Sequence, residues 1–398
     1  MKILIIHEVD YLEKVIYEIH EFPELLAQRG HEVSFFQFQE GARRAKKNLF
    51  TTKRIKGRVV SESEINIYGP HQFGVPGFDR LWATLSCIPA LISLFRNNEF
   101  DVVLNYAVPT YGLQALVISR IFKVPFVHRA LDASHEIRKS IYRIPILIAE
   151  KLLYRFSPVL SANNPSMARY CNSLSGRRLE PIVNYPPLDM SHFSKIQAEE
   201  ILPTKLGINR DDKVIAYMGS FFYFSGLPQA IKRFAELTHD SDGIKLLLIG
   251  GGEQASELRK LVDELGVSNK VIFTGFVTYD VLPKYLRLAS IAINTLQISQ
   301  VSSVAFPHKV LQYLASDLPV VSTRLDGLVS TLDGLVGLNW ADSPEEVVDL
   351  ALQLLTEDPI PLDKAKVSSR LSALFSPPSA LRSLEETLEY AITTSNRN

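Results

Sequence analysis

Cysteine, tryptophan and methionine are scarce in this chain, whose 398 residues include 2 Cys, 2 Trp and 4 Met. The two cysteines, Cys87 and Cys171, provide neither a disulfide framework nor the close pairs of a zinc site, which is typical of a reducing cytosol. A surplus of one charge is also missing, because 43 Lys and Arg residues balance 43 Asp and Glu residues. The chain therefore has no overall positive field to attract nucleic acid.

Long apolar runs are missing as well. The longest, residues 81–95, is interrupted by Ser86, Pro89 and Ser93, and it is shorter than the roughly 20 residues of a membrane-spanning helix. The chain starts with Met-Lys-Ile-Leu-Ile-Ile, which favours a first strand over a secretory signal peptide. We expect a cytoplasmic protein, peripheral at most on the inner face of a membrane.

Short apolar strands alternate with amphipathic helices along the whole chain. An apolar stripe from Leu12 to Leu26 predicts a first helix, with a kink or break at Pro23. The expected strands are residues 2–6, 33–38, 102–105, 125–130, 159–162, 214–218, 245–249, 271–273, 291–294, 319–322 and 334–338. Strands separated by helices form right-handed βαβ units, so we predict an α/β protein with parallel sheets.

The length of the chain exceeds what a single hydrophobic core supports, so two domains are expected. The proline-rich segment 180–189 reads as the linker between them. We therefore predict one domain over residues 1–185 and a second over 186–375. A terminal helix within 376–398 carries its own apolar stripe and is expected to pack back on the first domain.

Residues 306–323 carry the most informative local pattern, with Pro307, Lys309 and Gln312 in an expected helix over 307–316. Proline suits the first helical position, because its missing N–H is not needed there. The free amides and the dipole at such a helix start suit a phosphate, and Lys309 adds a positive charge. The alternative is a capped surface helix with a solvated lysine.

Two glycine loops follow predicted strands of the second half. The first contains Gly219 and Ser220, and the second contains Gly250 and Gly251. Because parallel strands end at the same edge of a sheet, both loops are expected to converge with the helix start at Pro307. Together they could cradle a nucleotide diphosphate. Each loop taken alone could equally be an ordinary tight turn between strand and helix.

Longer motifs are similar to those of the family 4 glycosyltransferases. In the second half they are Val-Ile-Phe-Thr-Gly-Phe at 271–276, residues 285–294, and Phe-Pro-x-Lys-x-x-Gln-Tyr-x-Ala from Phe306. Residues 29–33 and 100–103 agree in the first half. The resemblance implies the GT-B fold, with two Rossmann-like domains whose parallel sheets face a central cleft. It also implies transfer of a sugar from a nucleotide-diphosphate donor with retention of configuration, without a metal or cofactor.

The chain departs from this family at two positions. The family's Glu-x7-Glu signature is replaced by Val304 and Gln312. Gln312 can still bind the ribose of the donor, but without charge, whereas Val304 cannot contact the sugar as a carboxylate would. Phe221 and Ser225 stand near the places of the family's usual Arg and Lys, leaving Lys309 as the main cation and Arg324 as a weaker one. The implied donor-binding residues are Gly219, Ser220, Gly250, Gly251, Phe306, Pro307, His308, Lys309 and Gln312.

On the acceptor side, the resemblance draws attention to the residues after the strand at 125–130. Asp132 could bind a hydroxyl of the sugar, and Arg129 or His135 could face the phosphate, so that Asp132 and His135 are the candidate catalytic residues. Asp132 could also cap a helix that starts at Ala133. Glu8 and Asp10, after the first strand, could bind acceptor hydroxyls or be solvated loop carboxylates.

The partners that follow are a nucleotide sugar and a carbohydrate, lipid-linked or small-molecule acceptor. Residues 43–58 hold basic residues and no acid, so this stretch is a candidate for contact with an anionic membrane or a phosphorylated acceptor, with a solvated loop as the alternative. Two other functions share the architecture. One is a nucleotide-sugar 2-epimerase, and the other is a nucleotide-sugar-binding protein without catalytic activity.

Overall fold

The computed structural model describes residues 1–38, 50–70, 78–137, 142–177, 179–194, 201–357 and 361–395. It divides the chain into two compact units. Unit 1 comprises Met1–Pro187 together with Pro377–Asn398, and unit 2 comprises Leu188–Ser376. The carboxyl-terminal segment thus belongs to the same unit as the amino terminus.

Parallel strands form the centre of each unit. The strands of unit 1 are β1 (Lys2–Ile6), β2 (Glu32–Phe36), β3 (Phe50–Lys56), β4 (Glu64–Pro70), β5 (Val102–Asn105), β6 (Phe126–Ala130), β7 (Val159–Ala162) and β8 (Ile182–Val183). Those of unit 2 are β9 (Lys213–Met218), β10 (Ile244–Ile249), β11 (Val271–Gly275), β12 (Ile291–Asn294), β13 (Val320–Thr323) and β14 (Leu338–Ala341).

Helices connect these strands. Unit 1 begins with α1 (Glu18–Gln28), α2 (Phe78–Asn97), α3 (Gly112–Ile121), α4 (Ser134–Ile137), α5 (Arg143–Phe156) and α6 (Pro165–Ser175). Unit 2 contains α7 (Met190–Ser194), α8 (Ile201–Lys205), α9 (Leu227–Thr238), α10 (Ala255–Glu264), α11 (Leu282–Leu286), α12 (Gln300–Ser303), α13 (His308–Ala315), α14 (Asp326–Leu332), α15 (Pro344–Leu354) and α16 (Lys364–Phe375). The last helix, α17 (Pro377–Ser395), returns to unit 1.

The strand order is β3-β4-β2-β1-β5-β6-β7-β8 in unit 1 and β11-β10-β9-β12-β13-β14 in unit 2. The pairing is parallel except between β3 and β4. The prediction of two α/β domains with parallel sheets is therefore confirmed. In both sheets the first strand of the unit lies centrally, with later strands added on either side, and in such sheets ligands bind beyond the carboxyl ends of the central strands.

Burial on both faces explains the composition of the central strands. Residues 3–6 of β1 and 214–218 of β9 are all buried, as expected for parallel strands covered by helices on both sides. The core of unit 1 extends to α17, whose Leu381, Leu384 and Leu388 are buried in it. Glu385 on the same helix pairs with Arg29 at 2.9 Å.

Two local predictions were wrong, and one pair of strands was not predicted. Helix α1 begins at Glu18 and not near Leu12. It continues through Pro23, so the helix is not broken there, and a kink at Pro23 stays a prediction. Strand β14 covers Leu338–Ala341 and not residues 334–338, because Gly334 and Gly337 adopt positive φ and form the preceding turn. The antiparallel pair of β3 and β4 was not predicted, since β3 contains three basic residues and a mostly polar edge sequence.

Candidate functional site

The start of α13 in unit 2 holds the positive charge that the sequence indicated. Pro307 has φ −61° and ψ 103° and is the N-cap residue, so the helix begins at His308, one position later than predicted. The Nζ atom of Lys309 lies 3.9 Å from the centroid of the Tyr217 ring. Desolvation lowers the pKa of Lys309 to about 7, and no carboxylate in the described part of the chain pairs with it. A partly buried cation at a helix start attracts an anion.

The two glycine loops interlock beside Lys309. Gly219 and Gly250 have φ of +134° and +131°, and a Cβ on Gly250 would lie only 2.1 Å from the Gly219 carbonyl oxygen. The Gly219 amide donates to the Ile249 carbonyl at 2.9 Å, and the Phe221 amide donates to the Gly251 carbonyl at 2.7 Å. A Cβ on Gly219 would lie 3.8 Å from Lys309 Nζ. The structure thus brings both loops and Lys309 together, and at Gly250 the packing requires glycine.

Tyr313 fixes α13 against the end of β9. Its hydroxyl accepts a hydrogen bond from the Met218 amide at 2.6 Å. The preceding residue, Gln312, is mostly buried, and its side-chain amide has no hydrogen-bond partner among the described residues. The ring of Phe306 packs against the ring of Phe375, with centroids 5.7 Å apart. These contacts hold the helix start rigidly while leaving the Gln312 amide unused by the fold.

Two aromatic residues of this region, Phe276 and Tyr217, were not among the predicted site residues. Phe276 is 62% exposed, and a Cβ on Gly251 would lie 3.0 Å from its ring. Phe276 therefore presents an apolar ring directly beside the second glycine loop. The available signals were the position of Phe276 shortly after the strand predicted over 271–273 and that of Tyr217 near the end of the strand predicted over 214–218.

The structure also places Val304, where the family motif lacks its first glutamate, and Arg324, the weaker candidate cation. Val304 ends α12 and is 9% exposed, so it packs as an apolar residue. Arg324 is exposed, and its Nε lies 3.9 Å from Asp342 Oδ1. Arg324 is thus partly neutralised, whereas Lys309 is not.

In unit 1, Arg129 is part of the core. Its guanidinium donates to both carboxylate oxygens of Glu18, at 2.6 and 3.0 Å, and also to Ser161 Oγ at 2.9 Å and the Asn184 carbonyl at 3.0 Å. The side chain is fully buried. The prediction that Arg129 faces a phosphate on the acceptor side is therefore corrected: its donors are used within the fold.

Glu8 and Asp10 are not solvated loop carboxylates. Glu8 accepts hydrogen bonds from the Thr110 amide at 2.6 Å, the Thr110 hydroxyl at 3.0 Å and the Tyr111 amide at 3.2 Å. Burial raises the pKa of Glu8, although these hydrogen bonds act in the opposite direction. Asp10 is 9% exposed and accepts from the Leu12 amide at 2.9 Å. Both carboxylates order loops at the end of the sheet.

Asp132 follows β6 and is an exposed residue. The pKa of Asp132 is raised to about 6. The largest cause is desolvation by surrounding protein atoms, and the negative charges of Glu18 and Glu150 add to it. The predicted alternative of a helix cap is wrong, since α4 begins at Ser134 and its first amide donates to Glu150 Oε1 at 3.1 Å. Asp132 has no hydrogen-bond partner in the described part of the structure, and is therefore the candidate that the fold leaves available.

His135 lies three residues further on and is held between two carboxylates. Its Nδ1 is 2.6 Å from Glu150 Oε2, and its Nε2 is 3.1 Å from Glu136 Oε1. The ring is 6% exposed. The catalytic role of His135 stays a prediction, and this geometry favours a positioning role over direct contact with a substrate.

The basic stretch 43–58 is described only in part. Arg43, Arg44, Lys46 and Lys47 lie outside the described residues. Arg58 is exposed, and its guanidinium donates to the carbonyls of Tyr11 and Lys14, both at 2.8 Å. Contact of this stretch with an anionic membrane stays a prediction.

Two protein-family models match the chain. One is described as Glycosyltransferase Family 4 and matches residues 19–188. The other is described as Glycosyl transferases group 1 and matches residues 198–366. The first region lies in unit 1 apart from its last residue, and the second region lies within unit 2.

Individual relatives resemble most of the chain at low identity. Alpha-monoglucosyldiacylglycerol synthase of Streptococcus pneumoniae is 23% identical over 310 residues, which are 73% of this chain and 69% of that protein. N-acetyl-alpha-D-glucosaminyl L-malate synthase of Bacillus anthracis is 22% identical over 351 residues, 85% of this chain and 83% of that one. The structure of Anabaena HepE with UDP and glucose aligns with a TM-score of 0.77 and 15% identity, covering 98% of this chain and 99% of that chain. The fold is therefore shared over the full length of both proteins.

Proposed function

The chain belongs to the family 4 glycosyltransferases, which are enzymes, and we propose that it transfers a sugar from a nucleotide-diphosphate donor. The donor sugar would be passed to an acceptor hydroxyl with retention of configuration and without a metal. The observation that carries this proposal is the unpaired Lys309 at the start of α13, beside two interlocked glycine loops. The Anabaena structure, solved with UDP and glucose, supports the same class of donor.

In this proposal each group of the donor meets a different part of the site. The diphosphate binds Lys309 and the amides at the start of α13. The glycine loops, with Gly219, Ser220, Gly250 and Gly251, allow the chain to approach it closely. The Gln312 amide, unused in the fold, binds the ribose, and the exposed ring of Phe276 offers an apolar surface to the base.

The proposed reaction breaks the bond between the anomeric carbon and the phosphate oxygen and forms a bond to the acceptor oxygen. The acceptor's proton goes to the departing diphosphate, on the same face of the sugar. Negative charge therefore grows on the diphosphate, and Lys309 and the helix amides stabilise it. No protein nucleophile is needed for this step. In unit 1, we assign to Asp132 the binding of a hydroxyl of the reacting sugar.

The acceptor remains a carbohydrate, a lipid-linked compound or a small molecule. The names of the two relatives concern different acceptors, a diacylglycerol lipid in one and L-malate in the other. We propose a cytoplasmic location, with which the two free, buried cysteines are compatible.

A panel of nucleoside diphosphates and nucleotide sugars, measured by thermal shift, tests the donor site. A ligand at 100 times its dissociation constant adds about 2.7 kcal/mol of stability. We expect at least one nucleoside diphosphate to raise the melting temperature of the wild type and not of Lys309→Ala. Lys260→Ala, on an exposed position of α10, is the matched control and should respond like the wild type.

Sugar transfer itself is measured by incubating the stabilising nucleotide sugar with candidate acceptors. A glycosylated acceptor with an unchanged anomeric configuration supports the proposal. Conversion of the donor in the absence of any acceptor would contradict it, and so would a lack of response to every nucleotide.

A further inference from the structure

Three neighbouring helices of unit 1 present an exposed apolar face. Helix α3 packs between α2 and α5, and Gln114 of α3 donates to the Thr84 carbonyl of α2 at 3.0 Å. Besides Phe78, nine large apolar side chains of these helices are between 37% and 69% exposed. They are Leu81, Leu85, Ile88, Val117, Ile121, Ile144, Ile148, Leu152 and Phe156. Since soluble monomers rarely expose a contiguous apolar patch of more than roughly a few hundred Å², this face indicates a partner.

The spacing of these residues shows that they belong to one outward side of each helix. On α5 they recur every four residues from Ile144 to Phe156, and on α3 Val117 and Ile121 are also four apart. The opposite sides of the helices are buried, for example at Leu91 of α2 and Leu153 of α5. Each helix therefore has two apolar sides. One side is buried within the fold, and the other belongs to the exposed apolar face.

The charges on this face identify the kind of partner. Arg96, Lys123 and Lys151 are exposed on or next to α2, α3 and α5, and none of them pairs with a carboxylate in the described part of the chain. The acid on α5, Glu150, is fully buried and bonded to His135. A second copy of the chain would present the same basic residues and no exposed acid from α3 or α5. An anionic bilayer offers both an apolar interior and the opposite charge.

We propose that the apolar face of α2, α3 and α5 binds the surface of a membrane that contains anionic lipids. Among the described residues, α2 is the helix with the length and composition to cross a membrane. However, Ala83, Cys87 and Leu91 on its inner side belong to the core of unit 1. The helices therefore lie in the plane of the interface, with apolar side chains in the acyl boundary and basic residues at the headgroups.

Vesicle flotation with the full chain, without donor or acceptor, tests this proposal separately from the transfer reaction. We expect the wild type to float with phosphatidylglycerol vesicles at low salt and far less with phosphatidylcholine vesicles. The variant Leu85→Glu/Ile121→Glu/Ile148→Glu should lose flotation. The matched control, Leu237→Glu/Val336→Glu, changes exposed apolar residues of unit 2 and should float like the wild type.

A second variant keeps the test valid if the first one folds poorly. In Arg96→Gln/Lys123→Gln/Lys151→Gln the apolar side chains are unchanged. Each basic residue near an anionic surface contributes about fivefold in affinity, so loss of three should weaken binding about 100-fold. Absence of binding to phosphatidylglycerol vesicles would overturn the proposal, and so would equal binding by all variants. A dimer that the glutamate substitutions dissociate, without vesicle binding, would assign the face to a second copy and overturn it as well.

Discussion

Lys309 holds its ammonium nitrogen 3.9 Å above the centre of the Tyr217 ring, although the two residues come from different elements of unit 2. The ring stabilises a cation that has lost much of its hydration. Desolvation still lowers the pKa of Lys309 to about 7, so its charge is poorly compensated in the absence of a ligand. An incoming diphosphate would supply that compensation, which makes this pair the centre of the proposed donor site.

Gly250→Ala is expected to disrupt the donor site. The new Cβ would lie 2.1 Å from the Gly219 carbonyl oxygen, so the two loops would have to separate. We expect a loss of at least about 3 kcal/mol in stability, together with loss of nucleotide binding. Gly266→Ala is the control, because Gly266 also has positive φ but no atom within 4 Å of the added Cβ. Equal thermal stability of the two variants would contradict the interlocked geometry.

Gln312→Ala should weaken the binding of nucleoside diphosphates about fivefold, since one neutral hydrogen bond contributes about 1 kcal/mol. Inorganic pyrophosphate lacks the ribose, so its affinity should not change. Isothermal titration with UDP and with pyrophosphate separates the two contributions. If both ligands weaken equally, Gln312 acts on the phosphates or on the fold and not on the ribose.

Asp132→Asn should lower kcat/KM by about 10-fold to 100-fold, the range expected when a charged hydrogen bond is lost. UDP affinity should remain that of the wild type. The pKa of Asp132 is raised to about 6, so its charged form predominates above this pH. Wild-type kcat/KM should therefore fall as the pH drops through about 6, and the Asn variant should lack this fall. Asp211→Asn, at an exposed position, is the control and should keep it.

Glu18→Gln tests the structural role assigned to Arg129. The substitution leaves a fully buried guanidinium without its carboxylate, which typically costs about 3–5 kcal/mol. Arg54→Gln removes the exposed pair with Glu64 and should cost less than about 1 kcal/mol. Urea unfolding followed by circular dichroism measures both. A small effect of Glu18→Gln would indicate that Arg129 is free to act elsewhere.

Most strands could be predicted from the sequence, because central parallel strands are continuous apolar runs bounded by turn residues. Residues 102–105, 159–162 and 291–294 were predicted with their observed limits. The edge strand β3 could not be predicted, because its sequence is mostly polar and it forms by pairing with β4. The start of β14 was misplaced because positive φ at Gly337 cannot be read from sequence alone.

The candidate site was predictable where a charge follows a strand or begins a helix, and not where a side chain has a partner distant in sequence. Lys309 belongs to the first kind. Arg129 and Glu8 belong to the second, since Glu18 is 111 residues from Arg129 and Thr110 is 102 residues from Glu8. Such pairing decides whether a charged residue stabilises the fold or is available to bind a ligand. Pairing between residues so distant in sequence cannot be read from their spacing.

The pH dependence of UDP binding tests the central claim, that Lys309 is the cation of the donor site. With a pKa of about 7, Lys309 is charged below this pH, and above it the protein must take up a proton to bind the diphosphate. Titration calorimetry between pH 7 and 9 should therefore show wild-type affinity falling by up to about tenfold per pH unit. Lys309→Arg should bind with little pH dependence, because arginine stays protonated. Lys309→Ala should bind weakly at every pH. The same affinity and the same pH slope in Lys309→Ala and the wild type would contradict the claim.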